Sequence, residues 1–358
     1  MIDVRLPYLP GRTPTFTFIV HPRNEEDMFR ARCLSLLRTL SSSDADYVRR
    51  VCALPPTIIG EVLFGDAPFY GEIISIPCLP AEVPTARGVE QIVRAARIAV
   101  ERGSKVIGLG ALTAPATAGG ARLVRELPAS VTLTNGNAYT AAVLKHSVLE
   151  AASAMALDRP ARVAVIGCTG SVGTTVSRLL AHAGLHLILI GRTVKKLEHL
   201  FSDMRPTARF SDALVDASAA DIVLVLTGAP SARLDLQRLS PRTVVIDAAE
   251  PANVSQEDVQ RWSDHVTVVR GGLVRIPDYY CTYDLGLENA AETFACLAET
   301  YLFSREGIRE HSVGTPTTAL AERLERVAAR RGVHPSFALP AGAFSKRSTD
   351  KDAQAAMV

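Results

Sequence analysis

The feature that most constrains the fold is a glycine-rich loop joining a short apolar run to a helical pattern. The stretch reads "ARVAVIGCTGSVGTTVSRLL". Glycines at such a junction let the backbone turn tightly and approach a pyrophosphate, whose charge rests on the helix N–H groups. A tight turn without a ligand is the alternative. The dinucleotide hypothesis assigns cofactor contacts to Gly167, Thr169, Gly170, Ser171, Val172 and Gly173.

Five short apolar runs between residues 161 and 275 alternate with helix-length or loop segments. Near-continuous Val, Ile and Leu runs of this kind are typical of parallel strands covered on both faces. We therefore expect an α/β fold with a Rossmann-like doubly wound parallel sheet in the C-terminal half. The runs are "ARVAVIG", "LHLILIG", "ADIVLVLTG", "TVVIDAA" and "VTVVRGG".

The chain of 358 residues is long enough for two domains. Helical patterns are expected over residues 88–103, 137–157, 285–305 and 316–331. The predicted parts are a mixed α/β substrate domain (1–158), a nucleotide-binding domain (159–280), C-terminal helices at the interdomain cleft (281–335) and a disordered tail (340–358).

Composition excludes several classes of protein. A formal net charge of +2 argues against nucleic-acid binding. The longest uncharged run, residues 106–121, is too short and polar for a transmembrane helix, and no signal peptide is recognisable, so we expect a cytoplasmic protein. Six cysteines without a C-x-x-C pair predict no metal site and no disulfide framework.

The end of the second apolar run indicates which nucleotide binds. Arg192 stands where an NAD site usually carries an acid, with Thr193 and Lys196 just beyond. Because Arg binds phosphate through two parallel hydrogen bonds, the pattern favours NADPH over NADH. The alternative is a set of solvated charges at a helix start. Later strand ends add four positional candidates, Thr227, Gly228, Gly271 and Gly272.

Cys296 lies in "ENAAETFACLAETYLFSREG". At 100° per residue the apolar side chains of this segment form one stripe, and Cys296 projects almost opposite. Cysteines that only pack are usually buried, so the placement suits a nucleophile, unless another domain covers that face. An ionised Glu292 one turn earlier would oppose thiolate formation. The residues expected on the same side as Cys296 are Asn289, Glu292, Thr300 and Phe303.

Three stretches together resemble the long-chain acyl-[acyl-carrier-protein] reductases, over about residues 57–335. They are "LTNGNAYTAAVLKHSVLEAA", the glycine loop and "TFACLAETYLFSREG". The resemblance implies NADPH-dependent reduction of an acyl-carrier-protein or CoA thioester to a fatty aldehyde. It also implies an acyl-enzyme on Cys296, which falls in the family's F-A-C-x-A-E stretch, and a downstream aldehyde-consuming enzyme is a possible partner.

The family's T-x-G-N-x-x-T-A stretch maps onto residues 134–141. Asn137 and Thr140 then lie at a helix N-terminus, where free N–H groups would polarise the substrate carbonyl. His146 on the same helix is a candidate acid or base, with a surface or core histidine as the alternative. Tyr139 departs from the histidine common in the family, which leaves a fatty or polyketide acyl group open.

An acidic carrier protein would need a basic surface, and two helices offer arginines. Other functions also remain open. One is a carbonyl reductase of the shikimate dehydrogenase type, whose "GRT" cofactor edge is similar and which needs no nucleophilic cysteine. Another is a noncatalytic NADPH-binding sensor. The basic surfaces considered are Arg94, Arg97 and Arg102 on one helix and Arg323, Arg326, Arg330 and Arg331 on another.

Overall fold

The computed structural model describes residues 12–66, 68–227 and 229–340. Gly228 and residues 341–358 of the predicted tail lie outside these ranges. The described chain forms two six-stranded sheets and a three-stranded sheet, which confirms the predicted α/β fold class.

The N-terminal part is a mixed α/β unit, as predicted. The helix predicted over residues 88–103 is present and buries an apolar stripe that includes Ile92, Ala95 and Ala99. In chain order the elements are β1 (Phe16–Val20), α1 (Glu25–Arg30), α2 (Ser35–Thr39), α3 (Asp44–Cys52), β2 (Thr57–Leu63), β3 (Tyr70–Ser75), α4 (Ala86–Glu101), β4 (Val106–Leu109), α5 (Thr113–Ala116), α6 (Ala121–Val124), β5 (Thr132–Thr134) and α7 (Asn137–Met155).

The middle of the chain alternates strands and helices, and all five predicted runs form strands. The structure adds a sixth strand, "ARFS", which was not predicted because it is only partly buried and has no apolar run. The elements are β6 (Arg162–Ile166), α8 (Ser171–His182), β7 (His186–Ile190), α9 (Val194–Phe201), β8 (Ala208–Ser211), β9 (Ile222–Val225), β10 (Val244–Asp247), α10 (Gln256–Arg261) and β11 (Thr267–Arg270).

The C-terminal part adds short strands and two helices. They are β12 (Leu273–Arg275), β13 (Tyr280–Cys281), β14 (Glu292–Phe294), α11 (Ala295–Arg305), α12 (Thr318–Arg330) and β15 (His334–Pro335). Short 3₁₀ turns lie at Arg32–Leu34, Ser202–Met204, Leu214–Ala219, Pro230–Ala232 and Leu236–Arg238.

The first sheet has the order β13-β2-β3-β1-β4-β5. Strands β3, β1, β4 and β5 are parallel, with Phe16 of β1 opposite Gly71 of β3 and Val106 of β4. Strands β2 and β13 extend one edge in the antiparallel direction. The carboxyl ends of the four parallel strands therefore lie together, and the segment after β5 leaves from that edge.

The second sheet is parallel throughout and has the order β11-β10-β9-β6-β7-β8. This is the Rossmann strand order, in which successive strands run outward from β6 in one direction and then outward from β9 in the other. In such sheets a ligand binds beyond the carboxyl ends of the two central strands. The glycine loop starts there, directly after β6.

Helix α7 connects the two sheets and is buried over most of its length. It packs against α8, α11 and α12, so one hydrophobic core extends across the facing sides of both sheets. Separate cores fill the outer face of the first sheet beneath α4 and the outer face of the second sheet.

Candidate active site

Cys296 lies in the first turn of α11, beside the last strand of the second sheet. The N–H of Ala295 donates to the carbonyl of Gly272 over 2.9 Å. Strand β14 pairs antiparallel with β12, with Phe294 opposite Leu273. Because Gly272 follows β11, this pairing brings Cys296 to the carboxyl edge of the Rossmann sheet.

The predicted helix over residues 285–305 is wrong in its first half. Glu292–Phe294 form β14, because they find a partner strand that is remote from the local pattern. Helical phase counted through this segment therefore does not apply to Cys296. Helix α11 is buried all round: Thr300 and Phe303, expected on the outer side with Cys296, are both 0% exposed. Cys296, the second residue of α11, is half-buried.

Glu292 also differs from its predicted placement. Its carboxylate accepts a hydrogen bond from the Ser336 hydroxyl at 2.7 Å and pairs with Arg275 at 3.3 Å. It is therefore held within the three-stranded sheet and not on a helix one turn before Cys296.

Gly136 lies directly against Cys296. Its φ of +73° is in the left-handed region that favours glycine. A Cβ built on Gly136 would lie 2.6 Å from the Cys296 Cα and closer still to its Cβ. The stretch "LTNGN" at the end of β5 and the cysteine of α11 thus meet, although they are far apart in sequence.

The polar groups predicted to polarise a carbonyl have partners within the protein. The N–H of Asn137 donates to the Asn135 side chain at 3.1 Å, and the Asn137 amide donates to the Ser171 hydroxyl at 2.9 Å. The Thr140 hydroxyl donates to the carbonyl of Gly136 at 2.7 Å. Asn137 and Thr140 therefore lie near Cys296, with their hydrogen bonds directed at the surrounding structure.

The structure does not bring His146 to this site. It lies further along α7 than Asn137 by about 14 Å at 1.5 Å per residue. Its ring is 48% exposed, with Nε2 3.2 Å from the Glu150 carboxylate. The candidate acid or base role for His146 is therefore not supported, because the helix carries it away from the cleft.

Glu299 is the residue that sequence reasoning missed. One turn after Cys296 and 0% exposed, it accepts hydrogen bonds from the Thr134 hydroxyl and from the N–H of Tyr139, the latter at 2.7 Å. It thus caps the N-terminus of α7, where free N–H groups are expected. The sequence does contain a signal for Glu299: it is an acid within an otherwise apolar helical stretch. A carboxylate buried in such a stretch needs hydrogen-bonding partners.

The Cys296 thiol is poorly ionised in this environment. Burial raises its pKa to about 12, and the Glu299 and Glu250 carboxylates act in the same direction. The N–H of Leu297 acts in the opposite direction. Burial likewise raises the pKa of Glu299. The resting thiol is therefore protonated near neutral pH.

The glycine loop has the shape that a pyrophosphate needs. Gly167 has φ of +88° directly after β6, and Gly170 precedes the first residue of α8. A Cβ on Gly173 would overlap the carbonyl of Gly167 and lie 2.7 Å from the Cys168 Cα. The N-terminus of α8, a helix of 12 residues, therefore faces a tight backbone turn, and these residues fit a dinucleotide. Thr169 lies in this turn, and Ser171 and Val172 are the first two residues of α8.

The other predicted cofactor residues lie at carboxyl strand ends. Arg192 and Thr193 follow β7, Lys196 lies in the first turn of α9, and all three are exposed. The carbonyl of Thr227, after β9, accepts from the Asn253 amide at 2.8 Å. Gly271 and Gly272 follow β11.

The segment between α11 and α12, to which the sequence analysis assigns no role, is hydrogen-bonded both to the loop after β5 and to the glycine loop after β6. The carbonyl of Gly314 accepts hydrogen bonds from the Ser171 hydroxyl at 2.6 Å and from the Asn135 amide at 2.8 Å. The Thr175 hydroxyl donates to the carbonyl of Pro316 at 2.8 Å. The strand-to-helix loop of each sheet is therefore tied to the segment between α11 and α12.

Comparison with known proteins gives related matches. A family model described as shikimate / quinate 5-dehydrogenase matches residues 150–268. A long-chain acyl-[acyl-carrier-protein] reductase of Synechococcus elongatus is 27% identical over 305 residues, 78% of this chain and 88% of that protein. The aminotransferase PigE of Serratia sp. is 26% identical over 315 residues, 83% of this chain but only 36% of that relative's length.

Among solved structures, a glutamate dehydrogenase of Thermus thermophilus has a TM-score of 0.43 at 16% identity, covering 89% of this chain and 74% of that one. The Rossmann sheet with its glycine loop and the two sequence matches to reductases or dehydrogenases support an NAD(P)-dependent oxidoreductase. Within that class, the chain is similar over most of its length to a long-chain acyl-[acyl-carrier-protein] reductase.

A search of the described ranges finds no helix that is both long and apolar enough to cross a membrane.

Proposed function

We propose that this protein reduces a carrier-bound acyl thioester to an aldehyde with NADPH, through an acyl group held on Cys296. The observation that carries the proposal is the position of Cys296. A half-buried thiol lies between the "LTNGN" loop of the first sheet and Gly272 of the Rossmann sheet. The similarity to the Synechococcus reductase supports the same chemistry.

The covalent step is a thiol exchange. The Cys296 thiol loses its proton as its sulfur bonds to the thioester carbonyl carbon, and the carrier's sulfur leaves and takes up a proton. Burial disfavours the free thiolate, so deprotonation is coupled to substrate arrival. The start of α11 assists, because its first N–H groups favour negative charge on the sulfur.

NADPH, when bound, supplies the hydride that converts the acyl carbon to the aldehyde. Collapse of the reduced adduct breaks its carbon–sulfur bond and releases the aldehyde, and Cys296 regains its proton. The glycine loop after β6 would hold the pyrophosphate, and Arg192 with Lys196 would hold the 2′-phosphate. Glu299 fixes the loop that contacts Cys296.

A second candidate is a shikimate-dehydrogenase-like carbonyl reductase without covalent catalysis. The match of residues 150–268 to that family favours it for the nucleotide-binding part. It gives Cys296 no chemical role, so activity would survive alkylation of the thiols.

The two candidates are separated by turnover measurements on acyl-carrier and acyl-CoA thioesters with NADPH, with the aldehyde detected by mass spectrometry. The proposal expects Cys296→Ser to bind NADPH normally and to form no aldehyde. Cys281→Ser is the matched control, because Cys281 is also half-buried with a thiol pKa raised by burial. Full activity of Cys296→Ser would reject the proposal.

A further inference from the structure

A polar cavity of about 300 Å³ lies at the far end of α11 from Cys296. It is formed between the turn after α11 and one face of α12. Its charged lining residues are Glu306, Arg309, Arg323, Arg326 and Arg330. We call this cavity the arginine pocket.

The charges of the arginine pocket do not balance. Arg323 pairs with Glu310, and Glu306 pairs with Arg331 at 2.6 Å. Within the described part of the chain, no carboxylate forms an ion pair with the remaining three guanidinium groups, those of Arg309, Arg326 and Arg330.

The spacing on α12 concentrates this positive charge. Residues 323, 326 and 330 share one helix face, and like charges three or four residues apart repel. The acid at Glu325 faces elsewhere, paired with Lys145 of α7 at 2.6 Å. An anion in the pocket would relieve the repulsion among the arginines.

The arginine pocket differs from the other arginine cluster considered as a carrier-protein surface, which lies along α4. Arg97 of α4 pairs with Glu126 at 3.2 Å, and Arg102, directly after α4, pairs with Glu72. That surface is therefore partly neutralised. The arginine pocket has both unbalanced charge and a volume at the lower end of the range for small-ligand sites.

The pocket is separate from the reaction centre. From Cys296 to Glu306 the chain advances by about 15 Å at 1.5 Å per residue. The Ser304 hydroxyl donates to the carbonyl of Thr15, just before β1, so α11 ends at the amino edge of the first sheet. Cys296 lies at the opposite, carboxyl edge beside Gly136. A thioester held in the pocket would be on the wrong side of the sheet for attack.

We propose that the arginine pocket is a second ligand site that binds a tetrahedral phosphate group. Planar guanidinium groups match phosphate oxygens through paired hydrogen bonds, and the charged lining excludes an acyl chain. The phosphate comes either from a free phosphate compound or from the phosphopantetheine of a carrier protein. The site does not depend on the proposed reaction, since no residue of the active site contributes to it.

The test is thermal unfolding of the NADPH-saturated protein titrated with inorganic phosphate against chloride at constant ionic strength. Saturation with NADPH fills the glycine loop, which would otherwise bind phosphate too. The expected result is a saturable rise in the unfolding midpoint. It should require about tenfold more phosphate, or vanish, in the double variant Arg326→Ala/Arg330→Ala.

Two controls keep the test decisive. The exposed pair Arg94→Ala/Arg122→Ala removes two arginines elsewhere and should titrate like the wild type. Arg192→Ala weakens the other phosphate site and should also leave the phosphate effect in place. A phosphate effect that is absent, equally present in Arg326→Ala/Arg330→Ala, or lost only in Arg192→Ala overturns the proposal.

The source of the phosphate is decided by a second arm. Holo carrier protein, which bears phosphopantetheine, is compared with its apo form as a competitor of inorganic phosphate. Competition by the holo form alone identifies the prosthetic group as the ligand, and failure of both forms identifies a free phosphate compound. Equal competition by the apo form contradicts a phosphate site, because the apo protein carries no phosphate.

Discussion

Gly136 and Cys296 pack against each other so closely that any side chain at position 136 would overlap the cysteine. The contact joins the loop after β5 to the first turn of α11. It fixes where the sulfur lies relative to the N-terminus of α7 and to Gly272 of the Rossmann sheet.

Gly136→Ala should therefore damage catalysis more than stability. The alanine must displace Cys296, and a shift of about 1 Å in a reacting group costs roughly 100-fold in rate. Gly184→Ala is the matched control, because Gly184 also has a positive φ of +80° but has open space around its Cβ position. It should lose only about 1–2 kcal/mol of stability. Aldehyde formation and chemical denaturation measure the two effects. Equal turnover in both variants would show that the contact is unimportant.

Glu299→Gln tests the buried carboxyl group. The folded protein holds the pKa of Glu299 above its ordinary value of 4.5. Its contribution to stability is then fully present below about pH 4.5 and is lost as the pH rises through the folded-state pKa. The variant should gain stability relative to the wild type over this range, by about 1.4 kcal/mol per unit of pKa shift.

Urea unfolding between pH 4.5 and 8 measures this difference. Glu101→Gln, on the exposed end of α4, is the control variant. A relative loss of stability in Glu299→Gln with rising pH would mean that the Thr134 and Tyr139 hydrogen bonds keep the carboxyl group ionised.

The Cys296 thiol should alkylate slowly at neutral pH. Because its pKa is about 12, the thiolate fraction and the rate with iodoacetamide should rise about tenfold per pH unit from pH 7 to 10. Glu250→Gln should raise the rate, since this carboxylate helps to raise the thiol pKa. Peptide mass spectrometry gives the rate at each cysteine. A rate that levels off near pH 7 would instead show a thiolate stabilised before substrate arrives.

Arg192→Ala tests the choice of cofactor. Loss of a charged hydrogen-bonding partner of the 2′-phosphate should weaken NADPH binding by about tenfold or more and leave NADH binding nearly unchanged. Arg205→Ala, an exposed arginine paired with Glu198, is the control. Fluorescence titration with both nucleotides measures the affinities. An equal loss for NADPH and NADH would remove Arg192 from the phosphate site.

Local patterns predicted the Rossmann half well. Five of its six strands are short apolar runs and its glycine loop lies between a strand and a helix, so each of these features can be recognised within a few residues. Helix α4 is predicted for the same reason, since its apolar stripe is continuous. Strand β8 was not predicted because it lies at the edge of the sheet, where a strand needs no apolar run.

The arrangement around Cys296 depends on contacts that sequence spacing does not reveal. Residues 292–294 leave the helical pattern because they pair with β12. Glu299 caps a helix that begins far earlier in the chain, and the Gly314 carbonyl links two loops from different sheets. The prediction that Cys296 is the nucleophile therefore depends on its motif, because the helical-phase argument for it is wrong.

The central claim is that Cys296 carries the acyl group. Intact mass spectrometry after incubation with an acyl-carrier thioester, without NADPH, tests it most directly. The account predicts a single acyl adduct on the wild type and on Cys281→Ser, none on Cys296→Ser, and loss of the adduct with aldehyde release when NADPH is added. Aldehyde formation without any adduct, or an adduct that persists in Cys296→Ser, would contradict it.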